Sequence, residues 1–314
     1  MSRKSPRFIP PGLVEVTVQT VGRRFLLRPS GELNAAILAT LGRALALNPV
    51  EVHAVAFLSN HWHGLVSVPD GLALCRFVQH VNSNVARAVN RLTGWNGSVF
   101  GKPAYIVVGA ASEELRLRYV LSQGVKEGLV RRCVEWPGVH CARALLLEEV
   151  LVGRWIDRRY RRQVQAGGRT PGVDEGVTVY PIEFAPLPMW RTLDAGERVR
   201  RVRAMVNDIE AEAGAKHPIV VGVSRLVARD PLDRPRTSRH RLAPPIHTSD
   251  QDERSQFTME ELTFAVAFDE ARERVRRGSP ATVPPRCFPP VAPFHTGSAM
   301  LWSSARVAVP SGRV

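Results

Sequence analysis

Between residues 14 and 123 the apolar side chains repeat first every two positions and then every three or four, in an order that few folds accommodate. Residues 14–21, Val-Glu-Val-Thr-Val-Gln-Thr-Val, alternate apolar with polar and favour β-branched side chains, which predicts a half-buried strand. Leu33, Ile37, Leu38, Leu41 and Leu45 then fall at helical spacing over 32–47, with Ser30 placed to cap the helix. Two strands are expected at 51–58 and 63–68, the second ended by the turn Pro69-Asp70-Gly71. A second helix spans 72–92 and stops before Gly94, and a fourth strand occupies 104–108. Ser112, followed by Glu113 and Glu114, opens a third helix as its N-cap, and Gly124 stops it. The order β-α-β-β-α-β-α predicts an α+β fold. Its core would be a ferredoxin-like split βαβ unit with an antiparallel sheet and one added helix, over residues 8–150.

The remainder reads differently. Residues 151–190 form a basic segment and linker, with Arg154, Arg158, Arg159, Arg161 and Arg162 clustered ahead of a Gly/Pro-rich connector at 167–172. Residues 191–278 are expected as a mainly helical extension, with helices at 193–213 and 259–277; Thr258 and Glu261 have capping-box spacing at the start of the second. From 279 to 314 the Pro-rich, weakly patterned tail predicts extended or disordered structure.

A net charge of +14 and a pI near 10.8 point to a polyanionic partner, with nucleic acid ahead of a membrane surface. Only four of the 43 Lys and Arg residues are lysines, and Arg's planar fork suits phosphate. No apolar run reaches the roughly eighteen residues of a membrane span, and no apolar stretch follows the first residues, so a cytoplasmic protein without a membrane partner is expected. The four cysteines show no C-x-x-C pair and read as free thiols.

Two short motifs carry chemistry. In Asn60-His61-Trp62-His63 the two imidazoles are two apart on a strand, so they share a face and can reach one metal, while Trp62 points to the opposite face and the core. A hydrogen-bonded surface pair has the same spacing. In Tyr119-Val120-Leu121-Ser122-Gln123 the spacing of four puts Tyr119 and Gln123 on one helix face, a pattern equally open to an amphipathic core edge. His53, His80 and His140 lack a paired motif and read as structural.

Taken together and in this order, the motifs resemble the HUH-type single-tyrosine transposases, including the REP-associated tyrosine transposases. The family's His-hydrophobic-His motif is matched by His61-Trp62-His63, and its Tyr-x-x-x-Gln motif by Tyr119 to Gln123. Its following run is matched by Gln123-Gly124-Val125-Lys126-Glu127-Gly128-Leu129-Val130, leading to Trp136-Pro137. The resemblance covers residues 10–145; the family's Asn-Pro is Gln123-Gly124 here, and its Ser-Ser after Trp-Pro is Gly138-Val139.

The resemblance implies a DNA strand transferase. Tyr119 would be the nucleophile that nicks single-stranded, hairpin-bearing DNA through a 5′-phosphotyrosine. His61, His63 and Gln123 would be ligands of a divalent cation, Mg²⁺ or Mn²⁺, since mixed N and O donors with open positions suit these ions better than a closed zinc site. Trp95, Phe100 and Tyr105 are candidates for stacking on bases, and Lys102, Lys126, Arg158, Arg159, Arg161 and Arg162 for contacts to phosphates. Two other readings compete: a retained, non-mobile hairpin-DNA-binding protein without strand transfer, and an unrelated metal hydrolase using the histidine pair alone. Monomer and homodimer are both open.

Overall fold

The computed structural model describes residues 7–235, 244–279, 281 and 286–288. After a two-residue strand β1 (Arg7–Phe8), the chain runs through β2 (Gly12–Gln19), α1 (Gly31–Leu47), β3 (Glu51–Leu58), β4 (His61–Val68), α2 (Gly71–Thr93), β5 (Ala104–Val108) and α3 (Glu113–Leu121). Strand and helix order is therefore the one the periodicities predict, and the fold is α+β with a mainly antiparallel sheet. The sheet order is β3-β4-β2-β5-β8, in which β8 (Ile246–His247) joins β5 in parallel and every other pair is antiparallel.

The local causes are visible at the caps. The Ser30 hydroxyl accepts from Leu33 N at 3.2 Å to start α1, and Asp70 accepts from Ala73 N at 2.7 Å to start α2. Ser112 does not cap α3 with its side chain, contrary to expectation. It is the last residue of a 3₁₀ turn (Ala110–Ser112) and has ψ near 7° rather than an extended conformation. Glu113 and Glu114 instead tie α3 to the 3₁₀ turn Pro188–Trp190, accepting from Met189 N at 2.9 Å and Trp190 Nε1 at 2.7 Å.

The two faces of the sheet are covered by different layers. Trp62 points to the side of α1 and α2, is buried at 1% exposure, stacks on Phe57, and donates from Nε1 to Asn82 Oδ1 of α2 at 2.9 Å. His61 and His63, alternating with Trp62 along β4, look the other way, beneath α3.

Beyond these come α4 (Ala142–Leu147), β6 (Leu151–Ile156), α5 (Arg158–Ala166), β7 (Val177–Ile182), α6 (Ala195–Lys216), α7 (Val223–Val227), β8, α8 (Gln251–Arg276) and β9 (Cys287–Phe288), the last paired with β1. The basic segment thus carries a β-hairpin, β6–β7, which lies on α1. Gly153 permits that contact, because a Cβ there would stand 2.3 Å from the Leu38 carbonyl oxygen. α6 and α8 contribute Val202, Val206, Ile209, Phe257, Phe264 and Phe268 to the same hydrophobic cluster as the sheet.

Helix α8 begins eight residues earlier than the pattern from 259 suggests. Asp250 is its cap, accepting from Asp252 N and Glu253 N, and the expected Thr258 cap is overturned: Thr258 sits mid-helix with its hydroxyl donated to Arg254 O. The first strand also shifts, from 14–21 to Gly12–Gln19, and the strand expected from 63 already includes His61. Except for 279, 281 and 286–288, the expected tail lies outside the described residues.

Candidate active site

Register decides which polar groups meet. Thr17 on β2 pairs with His63 on β4, and Gln19 with His61; Glu15, two residues before Thr17, faces the same way. α3 crosses this face. The Tyr119 and His63 rings meet edge to face with centroids 5.3 Å apart, and the His63 and His61 rings do the same at 4.9 Å. Tyr119, His61, His63 and Gln123 are thereby brought together.

Gln123 stands two residues beyond the last residue of α3. Its Nε2 donates to Tyr119 O at 2.9 Å, which prolongs the helical turn, and Gly124, at φ +87°, then takes the backbone out of it. The carboxamide lies beside the His61 ring and the Tyr119 hydroxyl. Its Oε1 is nonetheless buried without an aligned hydrogen-bond partner. An orphaned buried acceptor costs about 1–3 kcal/mol, which a cation at that point would offset.

Both histidines have one nitrogen committed. His61 Nδ1 donates to Asn60 Oδ1 at 2.7 Å, while His63 Nδ1 faces Thr17 Oγ1 at 2.9 Å and Glu15 Oε1 at 3.3 Å. A carboxylate only accepts, so Nδ1 of His63 carries the proton and Nε2 keeps its lone pair. Burial, with the charges of His63 and Lys126 behind it, pushes His61 down to about 3; burial also pushes His63 down, against the pull of Glu15. Neutral imidazoles are the form that binds metals. Among the described residues no group of three or more His, Cys, Asp and Glu is placed to hold a metal ion. Two imidazoles and one amide oxygen lie side by side, a donor set that would suit an open Mg²⁺ or Mn²⁺ site and not a closed thiolate one.

Glu15 and Arg116 are the residues that motif reading missed. Glu15 is 1% exposed: burial raises its pKa, but the His63 hydrogen bond and the Arg116 guanidinium outweigh this and hold it below the usual carboxylate range. Arg116 ion-pairs with Glu15 and lies over the Tyr119 ring, 4.2 Å from its centroid, while Lys126 Nζ stands 3.6 Å from that centroid. The signal was present in two places. Arg116 is three residues before Tyr119 on the same helix face, and the polar half of β2 is the half that pairs beside the histidines. Burial and the Glu15 charge push the Tyr119 hydroxyl up, so it is protonated at neutral pH.

The DNA-contact candidates scatter. Lys126 is at the site. Tyr105 is 8% exposed on β5 within the core, so it presents no open stacking face. Trp95 and Phe100 are half-buried, Trp95 donating to Ser98 O at 3.0 Å beneath the Arg24 guanidinium, and Lys102 is exposed. Arg161 is committed to carbonyls of the loop 172–175. Arg158, Arg159 and Arg162 are exposed on α5, in the hairpin that packs on α1 and therefore across the helix layer and the sheet from Tyr119. His53, His80 and His140 lie outside the site. His53 bonds Ala185 O and Ser67 Oγ, and His140 accepts from Ala142 N.

No family model matches the chain, and no curated protein matches it in sequence. Solved structures do. A REP-associated tyrosine transposase bound to a REP hairpin is similar over 46% of this chain and 86% of its own, with 19% identity and a TM-score of 0.36. A chain described as a transposase from Deinococcus radiodurans R1 is similar over 39% of this chain and 96% of its own, with 15% identity and a TM-score of 0.28.

Proposed function

We propose that this protein breaks and rejoins single-stranded, hairpin-bearing DNA through Tyr119, as a transposase-type strand transferase dependent on a divalent metal. One observation carries the reading: a tyrosine packed edge-on against a neutral histidine pair, beside a buried amide oxygen without an aligned hydrogen-bond partner.

His61, His63 and Gln123 would hold Mg²⁺ or Mn²⁺, which would neutralise and orient a phosphate's non-bridging oxygens. The chain's own residues supply the rest. Glu15 and Thr17 hold the proton on His63 Nδ1, and Asn60 does the same for His61. Arg116 and Lys126 surround the Tyr119 ring with positive charge, which favours both an incoming phosphate and the developing phenolate. The Tyr119 oxygen forms a bond to phosphorus as the bond from phosphorus to the 3′ oxygen breaks. The phenol proton passes to solvent, and the departing 3′ oxygen takes one up. The 5′-phosphotyrosine retains the energy of the diester, so another 3′-hydroxyl can displace Tyr119 and seal a strand without ATP.

A hairpin-binding protein without chemistry would account for the basic charge, but it would give the buried Gln123 oxygen no role. The test is nicking of a labelled hairpin oligonucleotide with Mn²⁺. Wild type is expected to nick and to stop when EDTA is added, and His61→Ala to bind without nicking; nicking that persists in His61→Ala, or that never occurs, contradicts the reading.

A further inference from the structure

Residues after 145 have no place in the sequence resemblance, yet one of their helices reaches Tyr119. Between α3 and α6 runs a groove of about 370 Å³, large enough for a small ligand. Tyr119, Arg118 and Lys126 line one side, and Ile209, Ala213 and Lys216 line the other. Ile209 and Ala213 close its floor, Leu115 at 60% exposure is its open apolar side, and its rim is cationic. The α6 side is firmly set. His217 Nε2 bonds Lys126 O at 3.0 Å, Val221 N and Gly222 N donate to Gly128 O and Leu129 O, and Glu210 accepts from Cys133 N.

The charges at the rim are unevenly committed. Arg116 is paired with Glu15, Arg118 with Glu212 at 2.6 Å, and Lys126 with Glu127 at 3.6 Å. Lys216 is exposed and makes no ion pair among the described residues. Glu212, one turn before Lys216 on α6, is the one carboxylate in the groove lining, and it is spent on Arg118. An open apolar side chain beside an uncommitted cation, next to Tyr119, matches a nucleotide: a flat base on one side and a phosphate on the other.

We propose that this groove seats one nucleotide of the single-stranded DNA flanking the phosphate at Tyr119. The base lies against the exposed Leu115 side chain, Lys216 meets the backbone phosphate, and Arg118 adds a second contact when Glu212 releases it. α6 thereby becomes part of the substrate site, and the proposal rests on the strand-transfer reading only in locating the reacting phosphate.

Binding of a short fluorescein-labelled oligothymidylate by the full chain, measured by anisotropy in EDTA, separates the two. Lys216→Ala is expected to weaken binding several-fold and to reduce the salt slope by about 0.7, the value for one lost single-strand phosphate contact. Glu212→Ala is expected to tighten binding, and Ala213→Trp, which fills the groove, to abolish it. Unchanged thermal unfolding of Lys216→Ala and Glu212→Ala shows that neither effect is a folding defect. Binding indifferent to both charge substitutions, weakened by both, or equally affected on a blunt duplex would overturn the groove, even where nicking at Tyr119 is intact. Opposite effects of the two substitutions without any nicking would leave the groove standing and sink the strand-transfer reading.

Discussion

At the scale of single residues, the site is organised by Glu15, a carboxylate buried between an imidazole and a guanidinium. It fixes the tautomer of His63, and partners of this kind typically contribute 10–100-fold to metal affinity. Glu15→Gln is therefore expected to weaken Mn²⁺ binding by roughly that factor in calorimetry, whereas Tyr119→Phe, which removes no metal donor, leaves the affinity near wild type. Equal losses in the two variants would contradict the assignment. The shared faces of His61 with His63 and of Tyr119 with Gln123 were legible because each pair sits within four residues of chain, while the joining of the two pairs into one site was implied by the family resemblance. Glu15 was not, since its partner His63 lies 48 positions away and only the β2–β4 register joins them.

At the scale of elements, the turn after α3 aims Gln123. Gly124 at φ +87° sits against Trp136, where an added Cβ would be 3.0 Å from Cε3, and Trp136 itself donates from Nε1 to Phe57 O at 2.8 Å. Gly124→Ala is expected to cost about 1–2 kcal/mol for the left-handed conformation, read as a lower urea midpoint. Helix α8 offers a contrast between two caps. Asp250→Ala is expected to cost about 0.5–2 kcal/mol, and Thr258→Ala almost nothing, because only Asp250 meets free amides. The strands and helices of the core were legible because each buries one face with a clean period. The β6–β7 hairpin was not: its strands bury little beyond Gly153 and Ile182, so the arginines between them dominated the pattern. The start of α8 was hidden for the same reason, since its first turns are polar until Phe257.

At the scale of the whole molecule, histidines held neutral by the fold are expected to govern the response to acid. His61 and His140 are pushed by burial from 6.5 to about 3 and about 4, and His53 and His63 are lowered in the same way. The unfolded chain therefore binds more protons below pH 6.5, and stability is lost as pH falls from 6.5 toward those lowered values. By about pH 5 each of the two is expected to have withdrawn on the order of 2 kcal/mol, seen as a falling urea midpoint. A midpoint constant from pH 7 to 5 would contradict their burial as neutral rings. The α6 helix binds this core to the sequence beyond it, so removal of the extension is not a neutral truncation: it takes Ile209, Ala213 and Lys216 from the groove. A covalent link between Tyr119 and DNA is read out by mass spectrometry. After incubation with a hairpin oligonucleotide and Mn²⁺, denaturation and digestion, a nucleotide mass is expected on the peptide containing Tyr119, and none in Tyr119→Phe. An unmodified Tyr119 peptide beside nicked DNA, or an adduct on another residue, would contradict it.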